Sequence, residues 1–247
     1  MRPANCVTAI ADVLAGVAIS GYLSDSNLFT FLFFKPILLL CIATVGLYGG
    51  GVVFNDVFDA ELDAVERPER PIPSGRVSKI KAKILAIFLL SVGCITALMV
   101  SFTSAYIAVL IVAAALVYDR WGKHQKFIGP INMGLCRGFN LLLGISILPA
   151  MVLPYRGLAL VPIIYIAAIT MISRGEVHGG KKTTLYFAAL LYSLVIGCIL
   201  YFAWLQSTLL FTLAFIAAFG VMIFVPLIKA LSIFPSVKKR PAFKNSL

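Results

Sequence analysis

Apolar residues along this chain fall in long, nearly unbroken runs, and about eight of those runs reach the roughly 15 to 25 residues needed to cross a bilayer. They cover about residues 5–24, 28–54, 84–101, 104–118, 128–150, 157–172, 184–204 and 208–231. The stretch from Ile84 to Tyr118 is drawn as two helices. A single one would be about 50 Å long at 1.5 Å per residue, against a hydrocarbon core of about 30 Å. Ser101-Phe102-Thr103-Ser104 supplies the break. The pattern therefore predicts an all-α fold, a polytopic membrane helical bundle of about eight transmembrane helices. It is read as one domain over residues 1–247, with a short basic tail from about residue 235. Polar loops follow spans two, four and six at similar spacing, which suggests helix pairs placed around a common cavity.

Composition supports this reading: 61% of the 247 residues are hydrophobic and 13% are charged. A soluble domain has about 45–50% apolar and about 25% charged residues, so a water-soluble core is excluded. The net charge of +11 changes the picture in another way. Every lysine and arginine except Lys35, Arg156 and the in-span Arg137 falls on one side of an even-numbered topology, the side that holds both termini. The excess is thus a topology signal rather than a nucleic-acid footprint, and it places the charged loops and both termini on the cytoplasmic side. The first apolar run carries Asp12 and lacks a small-residue cleavage pattern, which argues against a cleavable signal peptide. The five cysteines all lie in apolar segments without metal-ligand spacing and read as packing residues.

The strongest chemical signal is Asn55-Asp56-Val57-Phe58-Asp59-Ala60-Glu61-Leu62-Asp63, at the end of the second span. At about 100° per residue, Asp59 lies about 60° and Asp63 about 20° from Asp56 around a helix, with Asn55 about 40° beyond Asp59. Three carboxylates and an amide on one narrow face repel one another unless a cation joins them, and hard oxygen donors favour magnesium. Magnesium is usually held by one or two carboxylates plus substrate phosphates, so the missing ligand is a phosphorylated substrate. A solvated helix end is the alternative. The following segment, Glu66-Arg67-Pro68-Glu69-Arg70-Pro71-Ile72-Pro73-Ser74-Gly75-Arg76, is proline-rich and therefore stiff, and it presents arginines beside the carboxylates.

Asn55 to Arg76 resembles the first signature of the UbiA superfamily of intramembrane prenyltransferases, N-D-x-x-D-x-x-x-D followed by R-P-x-R-P-I-P-S-G. The resemblance runs in span order over nearly the whole chain and implies a helical barrel with a central cavity open laterally to lipid. It also implies magnesium-dependent ionisation of an allylic diphosphate and transfer of its prenyl group to an acceptor. On this resemblance Asn55, Asp56, Asp59 and Asp63 correspond to the metal and diphosphate motif, and Arg67 and Arg70 to its basic continuation. Tyr118-Asp119-Arg120-Trp121-Gly122-Lys123-His124 is similar to the family's tyrosine-to-lysine segment, with Lys123 as the diphosphate contact. A topology-setting cation is the other reading of Lys123.

The chain departs from the family after span six, where a second D-x-x-x-D motif is usual. Here it reads Ile172-Ser173-Arg174-Gly175-Glu176-Val177-His178-Gly179-Gly180-Lys181-Lys182, and Glu176 is the one carboxylate able to ligate a second metal. Arg174, Lys181 and Lys182 turn the local charge positive and could offset a diphosphate leaving group. This loop and Gly129 to Asn140 are similar to the EboC-like branch of the superfamily. Inside the spans, Asp12 and Arg137 lie at similar depth, and Asn140 shares a helix face with Arg137. They read either as a structural ion pair or as groups holding substrate in the cavity. Phenylalanine and tyrosine, at 18 and 9 residues, could line such a cavity.

The expected activity is magnesium-dependent transfer of a prenyl group from an isoprenyl diphosphate to a hydrophobic aromatic or lipid-like acceptor within the lipid bilayer, with no nucleic-acid partner. The alternative is a non-catalytic polyprenyl-diphosphate-binding or transport component.

Overall fold

Inside a bilayer each backbone polar group must be satisfied within the protein, and a helix does this within its own segment. The computed structural model of the chain describes residues 3–24, 31–125, 128–177, 182–205 and 207–237, with side chains described except at 3, 4, 124, 172–177, 182–184 and 233–237. Among them the regular structure is helical throughout. In chain order the helices are α1 (Pro3–Ile19), α2 (Phe31–Phe58), α3 (Ala60–Glu66), α4 (Lys79–Leu98), α5 (Phe102–Arg120), α6 (Ile128–Ile145), α7 (Pro149–Tyr155), α8 (Leu160–Val177), α9 (Lys182–Leu205) and α10 (Leu209–Val237). Six stretches are long and apolar enough to cross a membrane: Phe31–Phe58, Lys79–Leu98, Phe102–Arg120, Pro149–Met171, Leu185–Leu205 and Leu209–Ser232. The other two predicted spans are the shorter apolar helix Asn5–Ile19 and α6, which carries Asn132, Arg137 and Asn140.

The break between the third and fourth spans falls where the sequence places it. Ser101 caps α5, accepting a bond from the Ser104 N–H at 3.0 Å. Other boundaries differ. The second span continues as helix to Phe58 and so carries Asn55 and Asp56 on regular backbone. The fifth predicted span is interrupted, because α6 stops at Ile145 and α7 begins at Pro149. Ser146 is fully buried at this break, donating to the Leu143 carbonyl at 2.6 Å and meeting the Ser104 hydroxyl at 2.8 Å. α8 runs to Val177, so Arg174 and Glu176, predicted on a loop, stand on helical backbone. Hydropathy marks where a chain leaves the hydrocarbon, whereas a helix ends only where its backbone bonds stop.

The chain divides into two compact units, Met1–Ile166 and Ala167–Leu247. In the first, α1 packs on α6, α2 on α4 and α5 on α6, with α1–α2, α2–α5 and α4–α5 contacts closing the bundle. Its core draws Val13 and Val17 from α1, Leu40 and Leu47 from α2, Leu90 from α4, Ile107 and Ile111 from α5, and Leu143 from α6. α1 and α6 approach so closely that a Cβ on Gly144 would lie 2.1 Å from the Val13 carbonyl oxygen, and one on Gly16 would lie 2.3 Å from that of Leu141. Small residues at helix contacts are the usual device where lipid tails remove the hydrophobic drive between helices. In the second unit α9 and α10 pack together, burying Ala188, Val195 and Ala203. Leu210, Phe211, Phe215 and Met222 of α10 stay outward, as side chains facing lipid do.

Candidate active site

α2 ends one residue before Asp59, which takes φ −86° and ψ −1° as the N-cap of α3. The backbone ladder nevertheless carries through. The Asp59 N–H donates to the Asn55 carbonyl at 2.9 Å, and the Asp63 N–H donates to that of Asp59 at 2.8 Å. The four-residue spacing of Asn55, Asp59 and Asp63 therefore survives the change of helix, and the acidic residues keep the shared face that their spacing predicts.

Two cations meet this face. Arg70 Nη1 donates to Asp63 Oδ2 at 2.6 Å and to Asp56 Oδ1 at 3.4 Å. Lys123 Nζ forms an ion pair with Asp59 and lies 3.4 Å from Asn55 Oδ1. Arg70 reaches back because the segment after α3 is folded into turns: its N–H bonds to the Arg67 carbonyl, Ser74 to Arg70, Gly75 to Ile72 and Val77 to Pro71, at 2.9–3.1 Å. Arg76 fastens it further, with Nε donating to Ser74 Oγ at 3.0 Å and Nη2 to the Glu69 carbonyl. The stiffness expected of the prolines is realised as this turn ladder. Lys123 comes from a different segment, the short 3-10 turn Gly122–His124 after α5.

Burial grades the carboxylates. The side chain of Asp63 is 6% exposed, that of Asp59 18% and that of Asp56 39%, so Asp56 is the most accessible. Arg70 lies in the loop outside the spans. Burial works against its charge, but the hydrogen bond and charge of Asp63, then the charges of Asp56 and Asp59, outweigh it and raise the guanidinium pKa. Among the described residues no three His, Cys, Asp or Glu side chains converge closely enough to hold a metal ion unaided. Asn55, Asp56, Asp59 and Asp63 supply only oxygen donors, and amino-acid cations already sit on them. That donor set fits a hard divalent cation completed by phosphate oxygens.

The sequence pattern of the UbiA prenyltransferase family matches residues 13–245. The chain belongs to this family. It is 38% identical over 144 residues to a digeranylgeranylglyceryl phosphate synthase of Methanothrix thermoacetophila, covering 58% of this chain and 51% of that protein. It is 34% identical over 146 residues to the synthase of the same name from Methanopyrus kandleri, covering 59% and 51%. The chain thus spans about half the length of these curated relatives. The fold is also that of solved UbiA homologues. The apo protein from Aeropyrum pernix K1 aligns with a TM-score of 0.72 at 16% identity, over 96% of this chain and 97% of that one. The Archaeoglobus fulgidus protein bound to DMAPP and Mg2+ aligns with a TM-score of 0.63 at 13% identity, over 91% and 93%. The relatives are named for digeranylgeranylglyceryl phosphate synthesis, so the comparisons support the family and do not single out the EboC-like branch.

The remaining sequence-predicted residues of this UbiA member divide into three groups. Arg67 ends α3 and is exposed, apart from the ion-pair network. The side chains of Arg174, Glu176 and Lys182, and Lys181 altogether, lie outside the described residues. The in-span residues come together: Arg137 Nε lies 3.0 Å from Asp12 Oδ2. Asn140 donates to the Ala9 carbonyl at 2.7 Å and to Asp12 Oδ2 at 3.5 Å, and it accepts from Thr44 at 2.6 Å. This network joins α1, α2 and α6 within the bundle.

One residue of the site escaped sequence reasoning. Asp119, in the last turn of α5, is 5% exposed, and its charge interacts with Lys123, Asp59 and Asp56. A groove of about 700 Å³, by contrast, is lined by Phe54, Val57, Phe58, Glu61, Lys79, Ile80, Lys83 and Arg120. Those α2 and α3 positions lie on the helix face opposite the acidic motif, so the groove is not the site.

Proposed function

We propose that the chain is an integral-membrane prenyltransferase that moves a prenyl group from an isoprenyl diphosphate to a lipid-like acceptor, with magnesium at Asn55, Asp56, Asp59 and Asp63. The observation that carries this is the convergence of Arg70 and Lys123, from separate segments of the chain, on the acidic face of α2 and α3. Magnesium bound there would supply positive charge to the diphosphate. Arg70 fixes Asp63 and Asp56 in place, and Lys123 brings a mobile ammonium to the same side. As the allylic C–O bond breaks, negative charge grows on a leaving group already facing these cations, and that favours ionisation. From the sequence pattern, Glu176 is proposed as the ligand of a second metal, and Arg174, Lys181 and Lys182 as cations that offset the diphosphate charge. Arg67 is proposed as an outer contact for the diphosphate.

The names of the curated relatives favour a phosphorylated glyceryl lipid over an aromatic acceptor. The family pattern crosses both compact units, which supports one functional domain. The charge asymmetry supports placing the acidic face and both termini on the cytoplasmic side. A membrane-impermeant thiol label added outside should reach a cysteine placed at Ser207 but not one at Ser74, in a background lacking the native cysteines. The reverse pattern would invert the topology.

The reaction is tested by pyrophosphate release from an allylic diphosphate supplied to the purified chain with magnesium and a glyceryl-phosphate lipid. Release that depends on both supports the proposal. Donor binding without release would instead favour a binding or transport component, the reading consistent with a second motif reduced to Glu176.

A further inference from the structure

Asp119 is only 5% exposed, and its Oδ2 has no hydrogen-bond partner among the described residues. A buried carboxylate oxygen without a donor is costly, so such an atom calls for a specific explanation. Besides its burial, the charge of Lys123 favours its ionised form and the charges of Asp59 and Asp56 oppose it, so it borders the acidic face. It stands four residues before Lys123, at the junction of α5 with the 3-10 turn Gly122–His124.

Lys123 and Arg70 hold the acidic face in different ways. Arg70 meets Asp63 closely and Asp56 more distantly through one nitrogen, Nη1, of a planar guanidinium. Lys123 is a compact ammonium on a flexible stem, with donors that can turn toward different oxygens. It touches Asn55 Oδ1 and Asp59 Oδ1, oxygens that a divalent cation on this face also needs. A divalent cation bound to those oxygens would repel and compete with the ammonium.

We propose that Asp119 is a second seat for the Lys123 ammonium: when a divalent cation and a diphosphate bind the acidic face, Lys123 leaves Asp59 and Asp119 keeps it at the edge of the site. The inference rests on the cation and diphosphate reading above. Asp119 is then a positioning residue that acts through Lys123. The orphaned oxygen is explained as an acceptor whose donor arrives only in the loaded state. The lysine keeps its charge close to the diphosphate instead of being released to solvent.

The test is calorimetry on the full chain in detergent, with magnesium and inorganic pyrophosphate as the probe. Asp119→Asn should weaken magnesium-dependent pyrophosphate binding about tenfold, equivalent to about 1.4 kcal/mol. In a Lys123→Met background the same substitution should change it by less than about twofold, because the partner is gone. Equal losses in both backgrounds, or no loss in either, would overturn the proposal. A second measurement uses the unaltered chain: reductive methylation of Lys123, read by mass spectrometry with and without magnesium pyrophosphate. Lys123 should stay protected on loading, whereas reactivity rising to that of Lys79 would show that it has no second seat. If the unaltered chain shows no magnesium-dependent pyrophosphate binding, the functional reading fails and this inference fails with it. Binding that persists but ignores Asp119 overturns this inference alone.

Discussion

The first unit contains two clusters of acids and cations, and they differ in how completely their members satisfy one another. Around Arg137, one cation meets one carboxylate at 3.0 Å, and Asn140 uses both amide donors, on Ala9 and Asp12, and accepts from Thr44. On the face of α2 and α3, among the described residues, Asp56, Asp59 and Asp63 meet Arg70 and Lys123, and the nearby Asp119 has an orphaned oxygen. A closed network inside the membrane has nothing to exchange and holds helices together. An open one with surplus negative charge can trade a side-chain cation for a ligand cation. The difference favours architecture for the first cluster and chemistry for the second, and we propose the structural ion pair as the role of Asp12 and Arg137.

The largest effect should come from breaking the closed cluster. Arg137→Gln or Asp12→Asn alone should destabilise the protein by about 3–5 kcal/mol, since each leaves a charge buried without its partner. The double variant should recover much of the loss in thermal unfolding, and additive losses would contradict the pair. Gly144→Ala should cost about 1–3 kcal/mol by overpacking the contact between α1 and α6, where the added Cβ meets backbone that cannot rotate away. The smallest stability change, about 1 kcal/mol, should follow Lys123→Met, which frees a carboxylate near the membrane surface. That loss should shrink when magnesium and pyrophosphate are added, because a ligand that binds the folded state stabilises it. The Arg137→Gln loss should not shrink under the same addition, and equal rescue of both would erase the distinction.

Much of this arrangement was legible in the sequence for identifiable reasons. The acidic residues recur at helical spacing, so their shared face follows from geometry that survives the interruption at Asp59. Asp12 and Arg137 stand out because ionisable residues are costly in a membrane, and matching depth suggested their contact. Asp119 gave no such signal. It is a single acid among basic neighbours, and its partners Asp59 and Asp56 lie some sixty residues earlier, so only tertiary contact reveals it. Arg67 follows the family motif as clearly as Arg70 does, yet the turns after α3 send only Arg70 inward. The interruption at Ser146 was also hidden. Its backbone is supported by Ser104 on another helix, and an apolar run carries no trace of such a partner. The extension of α8 through Glu176 escaped because hydropathy falls before the helix ends.

The central claim is that the acidic face of α2 and α3 binds an isoprenyl diphosphate through a divalent cation. Asp56 is the decisive residue: it is the most exposed of the three carboxylates and is held only at 3.4 Å by Arg70, so its removal disturbs the fold least while removing a ligand. Calorimetric titration of the purified chain with geranyl diphosphate, with and without magnesium, should show binding that requires the metal and disappears in Asp56→Ala. Undiminished affinity in Asp56→Ala, or equal affinity without magnesium, would contradict the account.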